Sequence, residues 1–127
     1  MASLPLNTFK TKTAMLTTTT TATVYTAPIG VTSIVLMAQV ANLDTATHYV
    51  TFVHHRNLPV LPDAQGNGSQ QGNTDSVLVK HYGVPSNDAG IPISGKLIVE
   101  SLDSIRAYAD STGTMQLVLS ILETANS

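Results

Sequence analysis

From Thr32 to Asn42 the chain reads Thr-Ser-Ile-Val-Leu-Met-Ala-Gln-Val-Ala-Asn, the longest nearly uncharged apolar run in the sequence. Alternate residues of an extended strand point to opposite faces. Ile34, Leu36, Ala38 and Val40 therefore fall on one side, and Val35, Met37, Gln39 and Ala41 on the other. Both sides are largely apolar, so a strand here is covered twice, either by the protein alone or once by the protein and once by a partner. For so short a run, period alone leaves a helix as the rival. The Pro28-Ile29-Gly30 entry and the β-branched Thr32, Ile34, Val35 and Val40 favour the strand, which we read as central.

The rest of the chain repeats that pattern in shorter pieces. Residues 1–9, with Pro5 blocking a helix, read as an extended N-terminal arm. A first strand starts near Lys10, and the threonines from Thr17 to Thr21, which alone could be a disordered or glycosylated linker, are read from their flanks Met15-Leu16 and Val24-Tyr25 as a hairpin or edge strand. His48 to His55 alternates again. Residues 56–76 are dense in Gly, Asn and Gln and predict a long surface loop. Strands follow at Val77–Tyr82, Lys96–Glu100, Ser104–Ala109 and Met115–Leu122, with turn chemistry throughout Gly83–Pro92. No segment keeps a 3.6-residue amphipathic period over three turns. About eight strands separated by turns predict an all-β fold, an antiparallel β-sandwich or jelly-roll-like barrel, formed by residues 1–127 as a single domain.

Composition narrows the function. Charged residues make up 11% of the chain, against roughly 25% in ordinary globular domains, so Thr, Ser, Asn and Gln supply much of the polar surface. Such a surface is cheaper to desolvate, and the cores of protein–protein interfaces are depleted in charge for that reason. The bland reading is that threonine simply suits strand surfaces. With a net charge of −2 and six scattered Lys and Arg, no nucleic-acid partner is expected. No apolar run reaches the ~20 residues of a membrane-spanning helix, and Met1-Ala2-Ser3-Leu4-Pro5 lacks the pattern of a secretory signal, so no membrane partner is expected either. Cysteine is absent, which removes thiolate chemistry and disulfides.

The residues that bear chemistry do not assemble into a motif. Asp63, Asp75, Asp88, Asp103 and Asp110 sit in turns, where Asp bonds to local backbone. His54 and His55 are adjacent on a strand and point to opposite faces, while His48 and His54 share a face about 20 Å apart. His54 or His55 meeting His81 across paired strands gives two imidazoles but no third ligand. Ser, His and Asp are present without a Gly-x-Ser-x-Gly elbow. Sugar platforms need exposed aromatic faces, and the chain has no Trp, two Phe and four Tyr: Tyr25, Tyr49, Tyr82 and Tyr108. These readings predict no enzyme, no cofactor and no metal. Two candidate interfaces remain. Val35, Met37, Gln39 and Ala41 are the second face of the central strand, exposed to a neighbour or covered by core. Leu58, Val60 and Leu61, between Pro59 and Pro62, are the apolar residues of an otherwise polar loop, a docking patch or a satellite core.

Three fragments together carry a family resemblance. They are Val24-Tyr25-Thr26-Ala27-Pro28-Ile29-Gly30 running into residues 32–42; the Val84-Pro85 turn followed by Gly95-Lys96-Leu97-Ile98-Val99-Glu100; and Ser101 to Ala109 continuing to Leu117–Glu123. The order resembles small β-sandwich virion structural proteins of tailed bacteriophages. Those proteins share a strand entered through Pro-x-Gly, a Gly-Lys-Leu strand, a Gly-Asp-like turn and a closing Ser-x-x-Glu. This chain has Leu102-Asp103 in place of Gly-Asp. The resemblance implies a capsid decoration (cement) protein, a homotrimer seated on the major capsid protein or another virion protein, located in the virion and assembled in the host cytoplasm. The alternative it admits is a neck, tail or baseplate accessory or adhesin, and the residues by themselves leave open a sugar- or metal-binding sandwich.

Overall fold

The computed structural model describes residues 7–17, 19–57 and 74–125. They form eight strands: β1 (Asn7–Leu16), β2 (Ala22–Thr26), β3 (Val31–Asn42), β4 (His48–Arg56), β5 (Thr74–Val84), β6 (Ala89–Val99), β7 (Ser104–Ala109) and β8 (Met115–Ala125). All pairings are antiparallel, in one sheet ordered β1-β8-β3-β6 and a second ordered β2-β7-β4-β5. Every connection except β4–β5 changes sheet, which is the jelly-roll way of winding eight strands into a sandwich. The predicted all-β sandwich is the observed fold.

The core lies between the sheets. Met115, Leu117, Leu119 and Ile121 point inward from β8, and Val50 and Phe52 from β4. Ile105, Ala107 and Ala109 on β7 close over them. This strict alternation is what a half-buried strand requires, and each fully buried large side chain contributes about 1.5–3 kcal/mol.

Bulges explain where the sequence reading slipped. Opposite β8, the register of β3 shifts between Val35 and Met37, leaving Leu36 as the extra residue. Ser33 and Val35 point inward before it; Ala38, Val40 and Asn42 point inward after it. The two faces predicted for this strand are thus exchanged halfway along, because an inserted residue flips the pleat. On β6 the register shifts twice, at Gly95-Lys96 and at Ile91-Pro92. Gly95 adopts φ +103, open to glycine at little cost, and Pro92 needs no ladder hydrogen bond on this edge strand. Residues 89–92, read from sequence as turn, therefore belong to a strand. So do Asn7–Phe9, read as arm, and Thr74–Ser76, read as loop.

Candidate functional site

The first predicted interface divides. Val35 is fully buried in the core and presents nothing to a neighbour, since the Leu36 bulge sets it on the inner side. Met37, Gln39 and Ala41 lie on the outer face of β3, half-buried. Leu58, Val60 and Leu61 lie outside the described residues.

Pairing in the second sheet gives the histidines separate tasks. His55 stands opposite Asp75 in register, with Nδ1 2.5 Å from Oδ1. His81, at φ +59 in a β5 bulge, stacks on Tyr49 with ring centroids 4.0 Å apart. His54 has a buried Nε2 without a hydrogen-bond partner, and burial lowers its pKa, favouring the neutral ring. Among the described residues no group of three or more His, Asp or Glu is placed to hold a metal ion.

His48 is the best-connected imidazole. Its Nε2 is 2.7 Å from Asp44 Oδ2, and its Nδ1 is 3.0 Å from Asp110 Oδ1 and 3.2 Å from Ser111 Oγ. Serine, histidine and aspartate thus meet, with Asp110 and Ser111 sharing Nδ1 while Asp44 holds Nε2, and the two carboxylates favour the protonated ring. The bond to Asp44, then that to Asp110, raises the His48 pKa from 6.5; the bond to His48 lowers the Asp44 pKa from 3.8. The cluster ties the β3–β4 connection to the β7–β8 connection. His48 raised in the folded state stabilises fully below pH 6.5, and that contribution fades as pH rises through its folded value. Asp44 lowered in the folded state stabilises above 3.8, and its share fades as pH falls. Both therefore act together between pH 3.8 and 6.5. Relative to His48→Gln, the urea midpoint of the wild type is expected to fall from pH 6 to pH 8, while the rise that comes from the lowered His54 is common to both proteins; parallel curves would remove the clamp.

At the opposite end, two turns are lashed side by side. The β2–β3 turn is closed by Val31 N–H donating to Pro28 O, with Gly30 at φ +75, the type II geometry that calls for glycine at its third residue. The β6–β7 turn is closed by Asp103 N–H donating to Glu100 O, and its third residue is Leu102 at φ +69. Ser101 Oγ accepts from Gly30 N–H at 2.9 Å and donates to Pro28 O at 3.3 Å. Ala27 N–H donates to Asp103 O, and Leu102 N–H to Ala27 O, each at 2.9 Å. The tips of the two turns expose Ile29 (79%) and Leu102 (43%). A leucine held left-handed costs roughly 1–2 kcal/mol, and exposing it gains nothing for the fold.

Behind this end, Arg56 Nε lies 2.7 Å from Asp103 Oδ2, and Arg56 Nη2 lies 2.8 Å from Glu100 Oε2. The first pair is held by charge and proximity, since its atoms are not aligned as a hydrogen bond. A cleft of about 520 Å³ opens between the edge strands β1 and β2, with Lys10, Lys12, Thr23 and Glu123 among its walls. Both Glu123 oxygens are engaged there: Tyr25 OH donates to Oε2 at 2.5 Å, and Lys10 Nζ is 3.4 Å from Oε1. Burial pushes the Tyr25 phenol well above its ordinary pKa and keeps it a donor. The cleft thus holds a satisfied polar cluster.

No family model matches the sequence, and no curated protein matches it. Among solved structures the chain is similar to a chain of the T13 IBDV viral particle, whose crystal structure is described as revealing a missing link in icosahedral virus evolution. The TM-score is 0.51 at 10% identity, covering 99% of this chain and 33% of that one. The chain therefore spans about a third of the length of its structural neighbour. At that identity the likeness is one of fold.

Proposed function

We propose that this chain is a non-enzymatic structural protein of a virion, acting as an oligomeric capsid decoration protein of a tailed bacteriophage bound to the major capsid lattice. The observation that carries the reading is the winding of eight strands as β1-β8-β3-β6 over β2-β7-β4-β5, a fold shared along 99% of the chain with a protein of a viral particle. Supporting it, His48 and His55 are bound to carboxylates as structural ties, His81 is stacked on a tyrosine, and the cleft carboxylate is already paired. Ile29 and Leu102 supply an apolar tip with which to grip a surface below. On a lattice, many such small contacts add up to firm attachment.

The test is electron microscopy of purified virions labelled with antibody against this chain, with mass spectrometry of the same particles. Label distributed over the shell is expected. Label confined to the neck, tail or baseplate would overturn the capsid assignment and keep the virion one; particles lacking the chain altogether would overturn both.

A further inference from the structure

We propose that the outer face of the β1-β8-β3-β6 sheet is a self-association surface, on which a second copy of this chain packs the same face across a two-fold axis. The proposal rests only on the oligomeric part of the reading above and holds with or without a particle. Its basis is a row that crosses the whole sheet. Phe9 on β1 is opposite Leu122 on β8, Leu122 is opposite Ile34 on β3, and Ile34 is opposite Ile98 on β6. All four point away from the core. Phe9 and Ile98 are 76% and 53% exposed, and the two central members are half-buried between them.

Charge selects the occupant. The outward positions of β1, β8 and β3 hold no charged residue; the lysines of β1, Lys10 and Lys12, stand opposite the inward Ile121 and Leu119 and line the cleft instead. The other sheet differs, with Arg106 and the His55–Asp75 pair on its outer side. Over these three strands the face has no charge with which to complement a charged partner, and Lys96, exposed in the β6 bulge, stands at its edge. The surface that matches the three strands is another copy of themselves, where a two-fold contact sets no like charges together.

Size agrees with that choice. Four strands about 4.8 Å apart, with their side chains, span about 20 Å, and ten paired residues at about 3.4 Å run about 34 Å. The face then measures on the order of 700 Å², close to the roughly 800 Å² each partner contributes to a standard interface. Edge-to-edge growth is meanwhile blocked, by inward lysines on β1 and by Pro92 with two bulges on β6. For this sheet, stacking of faces is left as the route to association.

The experiment is sedimentation of the full chain over a concentration series, alongside Phe9→Lys and Ile98→Lys, both at exposed positions that the fold does not need. Wild type is expected to reach twice the 13.4 kDa of one chain. Each lysine, placed in an apolar contact with no acid on the outward positions of β1, β8 and β3 to pair with, is expected to weaken the dimer by about 100-fold. Ile29→Lys, equally apolar and exposed but off this face, should leave the mass unchanged. A wild type that stays monomeric, a trimer, or a dimer that survives both face substitutions would overturn the proposal. None of these results bears on whether the chain is found in virions, so the two readings fail separately.

Discussion

Asn42→Ala is expected to lower the unfolding free energy by about 3 kcal/mol. Asn42 closes β3 with its side chain only 1% exposed. Its amide nitrogen donates to Ala46 O at 2.8 Å and Val84 O at 2.9 Å, with Pro85 O at 3.2 Å sharing a proton, and Oδ1 accepts from Asp44 N–H at 3.0 Å. One side chain thus joins the end of β3 in one sheet to the end of β5 in the other. Alanine removes all of these partners at once. Water reaches the Ala46 and Pro85 carbonyls, which are only partly buried, but not Val84 O. The expected loss is therefore the full penalty for one buried acceptor, about 1–3 kcal/mol, plus a fraction for the others. Asn42→Asp should do no better, because it places a carboxylate against carbonyl oxygens. In urea titrations the midpoint should fall by about 1.5 M with an unchanged slope. A loss below 1 kcal/mol would mean that the amide is not the tie it looks to be.

Asn42 also marks the boundary of what the sequence revealed. That β3 is a central strand was legible from its composition and its Pro-Gly entry. That Leu36 bulges was not, because Ile-Val-Leu-Met-Ala is equally apolar in either pleat and only the register against β8 decides it. Hence Val35 appeared beside Met37 on a common face and is instead in the core. Pro92 signalled a turn, as proline usually does, but an edge strand has hydrogen-bonding groups to spare at a bulge. Thr74–Ser76 carried no apolar signal because that part of β5 is exposed and needs none. The side-chain groupings were further out of reach. His48 meets Asp110, His55 meets Asp75, and Phe9 lines up with Leu122, Ile34 and Ile98 only through the pairing of strands distant in sequence. Alternation identifies a face; it does not identify which faces adjoin. The exposed left-handed Leu102 did leave a trace, as the departure from Gly-Asp in the resemblance.

Asp103→Ala is expected to cost about 2–3 kcal/mol, and to weaken any contact made through the Ile29–Leu102 tip while the chain is still folded. Asp103 is 2% exposed, accepts Asn57 N–H on Oδ1 at 2.9 Å, and faces Arg56 through Oδ2. Breaking a buried ion pair from one side typically costs about 3–5 kcal/mol because the other charge is stranded. Arg56 is less isolated than that: it is a third exposed and keeps Glu100 at 2.8 Å, which brings the figure down. Asp103→Asn retains an oxygen for Asn57 N–H and gives up only the charge, so its cost should be about 1 kcal/mol. The local effect is separate from the global one. Asp103 is the last residue of the turn that holds Leu102 left-handed, and its backbone oxygen fixes Ala27 beneath Ile29. Without the carboxylate anchoring that turn to β4, amide hydrogen exchange at residues 100–103 should rise well before the midpoint of unfolding, with β3 and β8 still protected. If exchange instead rises uniformly through the sheets, Asp103 serves the fold as a whole and the tip is not separately braced.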